Sequence, residues 1–391
     1  MKTRIIIIMC LAFGAIRFAE AQEADSLMKL VLEQNRDLKV AREAYQVAVM
    51  EAGTGNTPPD PEVEFGYLYG KPIELGHRMD FGIKQQLDFP TTYIHRSRMK
   101  KILSSRAELE YVLIRQEVML LARQLWIEQI HLNQLQGLLS ERVDRAQTIQ
   151  THVQHMLDAG EVGALEFNQS HLLVASLEGE LDEVRSLLEH NRLTLLEITG
   201  GVNVEIQDTL FPRALEMNPD SLLEAYRIGP HAQLYTQSLH LKEENKNLAV
   251  SQHLPKLSAG YFSESVTDQA FRGFRLGITV PLWKNANTVK QAHAEVAHAD
   301  AELDQYNSQQ EKEIRQKLNK LETLHLRVNK LEEALGSVNS PGLLTSAMEN
   351  GEISLSEYFY MSDFYFRNQQ QLLQYKRDLL VQEADLLRIF L

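Results

Sequence analysis

Cysteine is almost absent from this sequence: the single one, Cys10, lies in an N-terminal segment with the features of an export signal. Basic residues precede an apolar run, and the small residues Ala19 and Ala21 follow it. We predict a signal peptide at 1–21, after which no cysteine remains for disulfides or thiolate metal sites. Lipid attachment at Cys10 is the alternative, although Met9 is larger than the residue that normally precedes a lipidated cysteine.

Proline and glycine are also scarce, at 11 and 20 of 391 residues, and they gather at a few places. The stretches between them are rich in Leu, Glu, Gln, Lys, Arg and Ala, which favour helix. After residue 21, no apolar run reaches the roughly 18 residues of a membrane-spanning helix. Because lipid does not tolerate open sheet edges, such a chain could cross a membrane only as a closed barrel of strands.

Basic residues are in the minority, since 40 Lys and Arg face 53 Asp and Glu for a net charge of −13. This balance argues against nucleic acid as a partner, because nucleic-acid-binding domains carry a basic patch or stripe. The sequence also lacks a Gly-rich phosphate loop, a Gly-x-Ser-x-Gly elbow and a His-Glu-x-x-His pair. We therefore predict that the protein is not an enzyme and has no cofactor.

The chain contains an internal repeat. Residues 157–167 match residues 348–358 at an offset of 191, and the same offset places Pro90 on Pro281. A nearly equal offset of 194 places Pro61 on Pro255. Three landmarks in one order indicate a tandem duplication. The predicted organisation is a first repeat at 22–200, an equatorial connector at 201–229 and a second repeat at 230–391.

In each copy we predict a first helix, at about 24–52 with a break near 35 and at about 219–252, which leads to a proline. Two short runs of alternating apolar and polar residues follow. In the first repeat Val63, Phe65 and Tyr67 alternate with glutamates and glycine. We predict β-hairpins at about 60–89 and about 255–283. Alternation with aromatic residues on the apolar face suits a lipid-facing strand with a polar lumen, and it suits a hairpin packed on a soluble core equally well.

The segments that follow the hairpins separate these two interpretations. Residues 92–157 contain no proline and a single glycine, which predicts one helix about 100 Å long. A counterpart is predicted at about 285–340, and the chain turns back at about 158–165 and about 348–356. Narrow leucine seams give both long helices the spacing of coiled-coil packing. Helices of this length suit an assembly that spans a wide gap better than a globular domain.

The sequence resembles the TolC-type outer-membrane efflux proteins over essentially the whole chain after the signal. The resemblance rests on the two turns, on the proline after each hairpin and on the segment 35–38. It implies a mainly α protein with a small membrane β part, in which three chains of four strands each build a twelve-stranded β-barrel on a long periplasmic α-helical barrel. The segment 82–91 is similar to that of channels that serve heavy-metal or cation pumps of the resistance–nodulation–division class. The implied partners are two further copies of the chain, outer-membrane lipid, a periplasmic adaptor (membrane fusion) protein and an inner-membrane pump of that class.

The resemblance also implies that the two helical turns dock the adaptor. The residues concerned are Gly160, Val162, Gly163 and Ala164 in the first turn, and Gly351, Ile353, Ser354 and Leu355 in the second. Ser354 stands where the family has glycine, which weakens the match at the second turn. The alternative is that each turn is a plain helix connection in which glycine caps the outgoing helix.

Glu357 lies where the family has a gate carboxylate, and three symmetry copies would form a ring that favours cations. Glu166 is its counterpart in the first repeat, and Asp363 is a further pore candidate on the same predicted helix as Glu357. An acidic residue in the first turn of a helix also suits the helix dipole, which is the competing interpretation for Glu357 and the favoured one for Glu166. His152 and His155 could share a metal, but the spacing suggests no third ligand and we predict no metal site.

Together these features predict an outer-membrane channel subunit of a tripartite efflux pump that passively conducts metal cations. Its predicted location is the outer membrane of a Gram-negative bacterium, extending into the periplasm. Two alternatives stay open: a periplasmic coiled-coil adaptor or scaffold, and the same channel in drug efflux or type I protein secretion. The duplicated hairpin favours the channel, because an adaptor would have one helical hairpin and a lipoyl-like β domain.

Overall fold

Residues 22–391, apart from 216, 268, 284, 338 and 339, are described by a computed structural model. The predicted signal at 1–21, with Cys10, lies outside the described residues. Within the described range the chain is mostly helical with one small antiparallel sheet, so the predicted mainly α fold class is confirmed. None of the described helices carries an apolar stretch long enough to cross a bilayer.

Long helices dominate the described chain, and three of them begin with proline. Proline suits a helix start because its φ is already helical and its missing N–H would have no partner there. The helices are α1 (Gln22–Gln34), α2 (Arg36–Ala52), α3 (Pro90–Asp158), α4 (Ala164–Ile198), α5 (Pro219–Arg227), α6 (Pro230–Ser251), α7 (Thr288–Gly336), α8 (Ser340–Glu349) and α9 (Leu355–Leu387). The strands are β1 (Glu62–Tyr69), β2 (His77–Leu87), β3 (Lys256–Val266) and β4 (Gln269–Thr279), and short 3-10 turns lie at Ile73–Leu75 and Arg388–Phe390.

The helix predicted at about 285–340 corresponds to α7, and a further short helix, α8, follows it in the structure. Helix α7 ends at Gly336 and α8 begins at Ser340. Glycine is a weak helix former, and Pro341 inside a continuous helix would clash with the preceding turn. At the start of α8 the same proline is tolerated, so a new helix begins here.

The predicted equatorial connector at 201–229 also contains a helix. Helix α5 is started by Asn218, whose side-chain oxygen accepts hydrogen bonds from the backbone N–H groups of Asp220 at 3.0 Å and Ser221 at 3.2 Å. The connector therefore contains a helix at Pro219–Arg227, because an N-cap and a proline together fix a helix start.

The chain divides into two compact units. One is helical and comprises the described residues up to 40, together with 114–223 and 312–391. Its first core cluster joins α1, α3, α4 and α9, and its fully buried members include Leu27, Val31, Ile127 and Ile130. A second cluster continues along α3 and α4: Leu132, Leu139, Val143, Ala146, Val174, Leu177, Leu181 and Val184, with Phe366 from α9. The apolar seams of the long helices thus supply the core.

A buried polar junction joins α1, α2 and the end of α4 within the helical unit. Asn35 is 4% exposed and stands between the first two helices. Its side-chain oxygen accepts the Leu38 N–H at 2.9 Å, and its amide donates to the Ile198 carbonyl at 2.8 Å. Gly200 has a φ of +70° and a Cβ there would lie 2.4 Å from the Gln34 carbonyl oxygen, so this close approach requires glycine.

The second unit comprises 41–113 and 224–311 and contains the sheet, in the order β1-β2-β3-β4. Val63 pairs with Ile83, Ile83 with Tyr261, and Tyr261 with Phe274. Directly paired residues share a face, so most of the apolar strand residues lie on one side of the sheet, the apolar face, which also carries His77, Gln85, Ser263, Ser265 and Arg272. Its apolar members are Val63, Phe65, Tyr67, Tyr69, Met79, Phe81, Ile83, Leu87, Leu257, Ala259, Tyr261, Ala270, Phe274, Leu276 and Ile278.

The opposite side of the sheet, the polar face, carries paired charges and glycines, together with four apolar residues, Leu68, Phe262, Val266 and Phe271. Lys84 bonds to Glu62 at 3.2 Å, and Arg78 reaches both Asp80 at 2.9 Å and Glu264 at 3.2 Å. In this chain the apolar face is open to solvent: Phe274 is 88% and Leu276 83% exposed. Strands β1 and β4 each leave one edge unpaired among the described residues.

Candidate functional site

The two predicted turns are built in the same way. At the end of α3, Gly160 has a φ of +73° and the Glu161 N–H donates to the Met156 carbonyl at 2.8 Å. At the end of α8, Gly351 has a φ of +71° and the Glu352 N–H donates to Ala347 at 2.8 Å. Both are Schellman caps, which need a left-handed residue and therefore favour glycine. The glycines are required by the backbone, whatever else the turns bind.

The residues that follow each glycine are largely on the surface. In the first turn Gly163 and Ala164 are exposed, and Val162 is half-buried. In the second turn Ser354 is exposed, while Ile353 and Leu355 are half-buried. The Ser356 hydroxyl of the second turn donates to the Gln169 side chain of α4 at 3.1 Å, so the structure brings the two predicted turns to the same end of the helical unit.

Glu166 and Glu357 occupy equivalent positions in the first turns of α4 and α9. Each carboxylate reaches back to the residue before its helix: Glu166 accepts the Gly163 N–H at 3.2 Å, and Glu357 accepts the Ser354 N–H at 2.8 Å. The Ser354 hydroxyl completes a capping box, because its oxygen accepts the Glu357 N–H. Gly163 has no side chain to reciprocate, so the second turn is the more completely capped.

The same contacts fix the ionisation of Glu357. Hydrogen bonds from the Ser354 backbone N–H and then from its hydroxyl lower the pKa of the Glu357 carboxyl, although the group is exposed. The carboxylate is therefore charged throughout the neutral range.

Asp363 lies further along α9 and is held in an ion-pair network. One oxygen accepts from Arg142 of α3 at 2.7 Å and the other pairs with Arg367 at 2.7 Å. The Arg142 side chain is only 13% exposed, and its guanidinium lies 4.0 Å from the centre of the Phe366 ring. Sequence reasoning missed Arg142, because a lone arginine in an apolar helix seam gives no sign of its partner.

An apolar groove adjoins the second turn. It has a volume of 640 Å³ and lies between the end of α7, α8 and α9. Several of its side chains are open to solvent, with Leu343 65%, Phe364 66% and Tyr360 76% exposed. Exposed apolar residues in one patch mark a surface that another molecule covers.

The proposed histidine pair has no neighbours suited to a metal. His152 and His155 are both exposed on α3. Among the described residues, no group of three His, Cys, Asp or Glu side chains is arranged to hold an ion.

Known proteins were compared with the chain by sequence and by structure. No family model matches the sequence, and no curated protein matches it. Solved structures do match. The chain superimposes on CusC, described in terms of its folding and transmembrane channel formation, with a TM-score of 0.80 at 16% identity, covering 96% of this chain and 95% of that one.

Two further structures agree. The CmeC outer membrane channel of Campylobacter jejuni has a TM-score of 0.78 at 17% identity, covering 94% of this chain and 85% of that one. The outer membrane protein VceC of Vibrio cholerae has a TM-score of 0.78 at 15% identity, covering 94% and 95%. The chain has the fold of these proteins. At such low identity the likeness defines the fold and leaves the site residues to be argued from the chain itself.

Three large apolar residues directly after β4 are also exposed. Val280, Leu282 and Trp283 are 56%, 68% and 82% exposed, and they continue from the apolar face towards α7. Sequence reasoning did not single out Trp283. Its only signal in the sequence was a tryptophan at the end of a predicted hairpin.

Proposed function

We propose that the protein is an outer-membrane channel subunit of a tripartite efflux pump, passing solutes from a pump and an adaptor across the periplasm and the outer membrane. The single observation that carries the proposal is the sheet, whose apolar face is exposed while its opposite face holds ion pairs. Lipid outside and water inside are the surroundings that suit these two faces. The shared fold with outer membrane channels supports this choice.

The sheet also leads us to propose a trimer. Four strands cannot close a membrane barrel alone, since the smallest known have about eight. In lipid, the open edges of β1 and β4 must be paired, because an unpaired backbone group costs several kcal/mol there. Pairing β4 of one copy with β1 of the next leaves no edge, and three copies give the twelve strands that the family resemblance implies. We also propose that the chain consists of two tandem repeats and that residues 1–21 are a signal peptide.

We further propose that the adaptor docks on the two turns. The exposed small residues of the turns allow the adaptor to approach closely. The apolar groove beside the second turn offers an apolar surface on which a helical hairpin tip can pack. Replacing Ala164 with Arg on the exposed first turn should weaken adaptor capture without changing trimer formation. Undiminished capture by both this variant and a matching Ser354→Arg variant would remove docking from the proposal.

Glu357 is our preferred gate residue. Because its side chain also caps a helix, the test must separate the effect of its charge from the effect of its capping hydrogen bonds. Glu357→Gln keeps a side chain that can cap while removing the charge, whereas Glu357→Ala removes both. If the carboxylates form a pore ring, both variants should lower cation selectivity and Glu357→Ala should also raise the single-channel conductance. A change in stability alone, confined to Glu357→Ala, would mean that Glu357 is only a cap. Glu166 and Asp363 are secondary candidates, and the ion pairs of Asp363 favour a structural role for it.

Metal cations are the cargo that the resemblance of segment 82–91 suggests, with drugs and secreted protein as alternatives. Growth of a deletion strain on zinc, copper, cobalt and hydrophobic drugs distinguishes them. Sensitivity to drugs alone would contradict a metal cargo.

Membrane placement can be tested with the two tryptophans of the chain. Trp126 is 4% exposed in the core of the helical unit, whereas Trp283 is 82% exposed after β4. In vesicles of brominated lipid, a Trp126→Phe protein that keeps only Trp283 should be strongly quenched. The matched Trp283→Phe protein, which keeps only Trp126, should not be. A protein that stays soluble and shows no quenching in either variant would instead support the periplasmic adaptor or scaffold.

A further inference from the structure

Two aromatic residues lie on the polar face, Phe262 of β3 and Phe271 of β4, and of these Phe262 has a cation over its ring. Phe262 of β3 pairs directly with Gly82 of β2 and Gly273 of β4 and so projects from the charged side of the sheet. The neighbouring row on that face is Glu62, Lys84, Gly260 and Arg275, one residue from each strand. A half-buried phenyl ring among charges and glycines requires an explanation.

Glycines allow the Phe262 ring to lie flat on the sheet. A Cβ at Gly82 would stand 2.8 Å from the ring, and a Cβ at Gly260 would stand 2.8 Å from its other edge. Both distances are too short for real atoms, so any larger residue would lift the ring off the backbone. The two glycines therefore form a recess in the polar face, and the Phe262 ring lies in it.

Arg275 lies on top of this ring. Its guanidinium carbon is 4.2 Å from the ring centre, within the range of a cation–π contact. The other three cations of the polar face, Arg78, Lys84 and Lys256, are bonded to carboxylates. For Arg275 the described part of the chain places no carboxylate within the 4.0 Å of an ion pair. Its charge is thus fixed in place by an uncharged partner and is not neutralised locally.

We propose that Phe262 and Arg275 form a charge-selectivity element on the lumen wall, which attracts anionic solutes and opposes cations. This inference rests on the proposed function, because it requires the polar face to line a channel. The described strands place four carboxylates on the polar face, on Glu62, Glu64, Asp80 and Glu264, and four cations, on Arg78, Lys84, Lys256 and Arg275, so that without Arg275 the carboxylates would be in excess. Arg275 therefore limits an otherwise cation-favouring wall, and three symmetry copies would place three such charges at one level.

The local potential can be measured with a thiol probe, because the only cysteine of the chain lies in the predicted signal. Gly273 is suitable, since it lies on the polar face two residues from Arg275 and a Cβ there meets no atom within 4 Å. Full-length trimer with Gly273→Cys is reacted with an anionic and with a cationic methanethiosulfonate reagent of similar size. The ratio of the two rates reports the sign of the nearby charge.

With Arg275→Gln added, the anionic-to-cationic rate ratio should fall by about threefold at 0.1 M salt, as expected for one charge about 7 Å away in water. Arg275→Lys keeps the charge and should retain most of the ratio. Arg272→Gln is the matched control, because it removes the same charge from the same strand but pairs with Ser263 on the apolar face. Phe262→Leu removes the platform and should give an intermediate ratio.

A ratio that Arg275→Gln leaves unchanged overturns the inference, as does an equal fall with Arg272→Gln. A Phe262→Leu protein that behaves like the parent removes the ring from the element. The proposed function fails separately, through the absence of lipid quenching at Trp283. That result overturns both proposals, whereas quenching with an unchanged ratio overturns this one alone.

Discussion

Removing the side chain of Asn35 should destabilise the helical unit far more than removing an equivalent cap elsewhere. Asn35 is buried and makes two hydrogen bonds, one as the N-cap of α2 and one to the last residue of α4. Asn218 also caps a helix with its side-chain oxygen, but it is exposed. Comparing substitutions at Asn35 and Asn218 therefore separates the stabilisation that an N-cap provides from the stabilisation that a buried hydrogen bond between helices provides.

The magnitudes follow from the partners that each substitution leaves behind. Loss of an N-cap costs about 1 kcal/mol. Asn35→Ala also removes the amide that donates to the buried Ile198 carbonyl. An unsatisfied buried acceptor costs about 1–3 kcal/mol more. We expect a free energy of unfolding lowered by about 2–4 kcal/mol for Asn35→Ala and by about 1 kcal/mol for Asn218→Ala.

The measurement is a urea titration of the purified full-length protein in detergent, followed by the circular dichroism of its helices. Hydrogen exchange at the Leu38 amide provides a local check, because this N–H loses its acceptor only in Asn35→Ala. Asn35→Asp keeps the cap oxygen but not the amide donor, so it should fall between the parent and Asn35→Ala. Equal losses for Asn35→Ala and Asn218→Ala would refute the argument from the buried carbonyl.

Three further features, the Asp363 ion pairs, the buried His131 and the Asp88 cluster, are each tested by substitution and urea titration. Asp363→Asn leaves the largely buried Arg142 without its carboxylate and should cost about 1–2 kcal/mol, whereas Arg367→Gln, on the exposed partner, should cost less than about 0.5 kcal/mol. Burial lowers the pKa of His131 despite a nearby glutamate, so the folded protein resists a proton that the unfolded chain accepts. Stability should therefore fall as the pH drops below about 6.5, and His131→Gln should abolish that slope; an unchanged slope would contradict the assignment. Asp88→Asn leaves its two cationic partners facing each other and should cost about 2–3 kcal/mol; a loss under about 0.5 kcal/mol would show that solvent screens the cluster.

Features that depend on a few neighbouring residues could be predicted from the sequence. The left-handed glycines at 160 and 351 belong to this class, because a Schellman cap is a local hydrogen-bond pattern. The mainly helical class with a small sheet also follows from local periodicity. The long helix was predicted to end at about 340, next to Pro341, but the short helix α8 that begins there was not predicted.

Contacts between distant residues could not be predicted in this way. Arg142 meets Asp363 across 221 positions, and Asn35 meets Ile198 across 163. Each contact depends on the register of two helices, and a shift of one residue turns a side chain by about 100° around its helix axis. The predicted gate candidate Asp363 thus acquired an ion-paired environment that no spacing in the sequence could indicate.

Phe262 shows most clearly what the alternation of apolar and polar residues along a strand cannot predict. Along β3 the rule places it among the polar residues, where a lone aromatic looks like noise in a weak pattern. Its meaning depends on which residues of β2 and β4 lie beside it, and a register shifted by one residue would remove Gly82 from beneath the ring. The observed register supplies a recess on one side of the ring and a cation on the other. A residue that breaks a local rule while its neighbours are arranged to accommodate it is better explained by function than by tolerance, and we therefore test the proposed charge selectivity at Phe262 and Arg275.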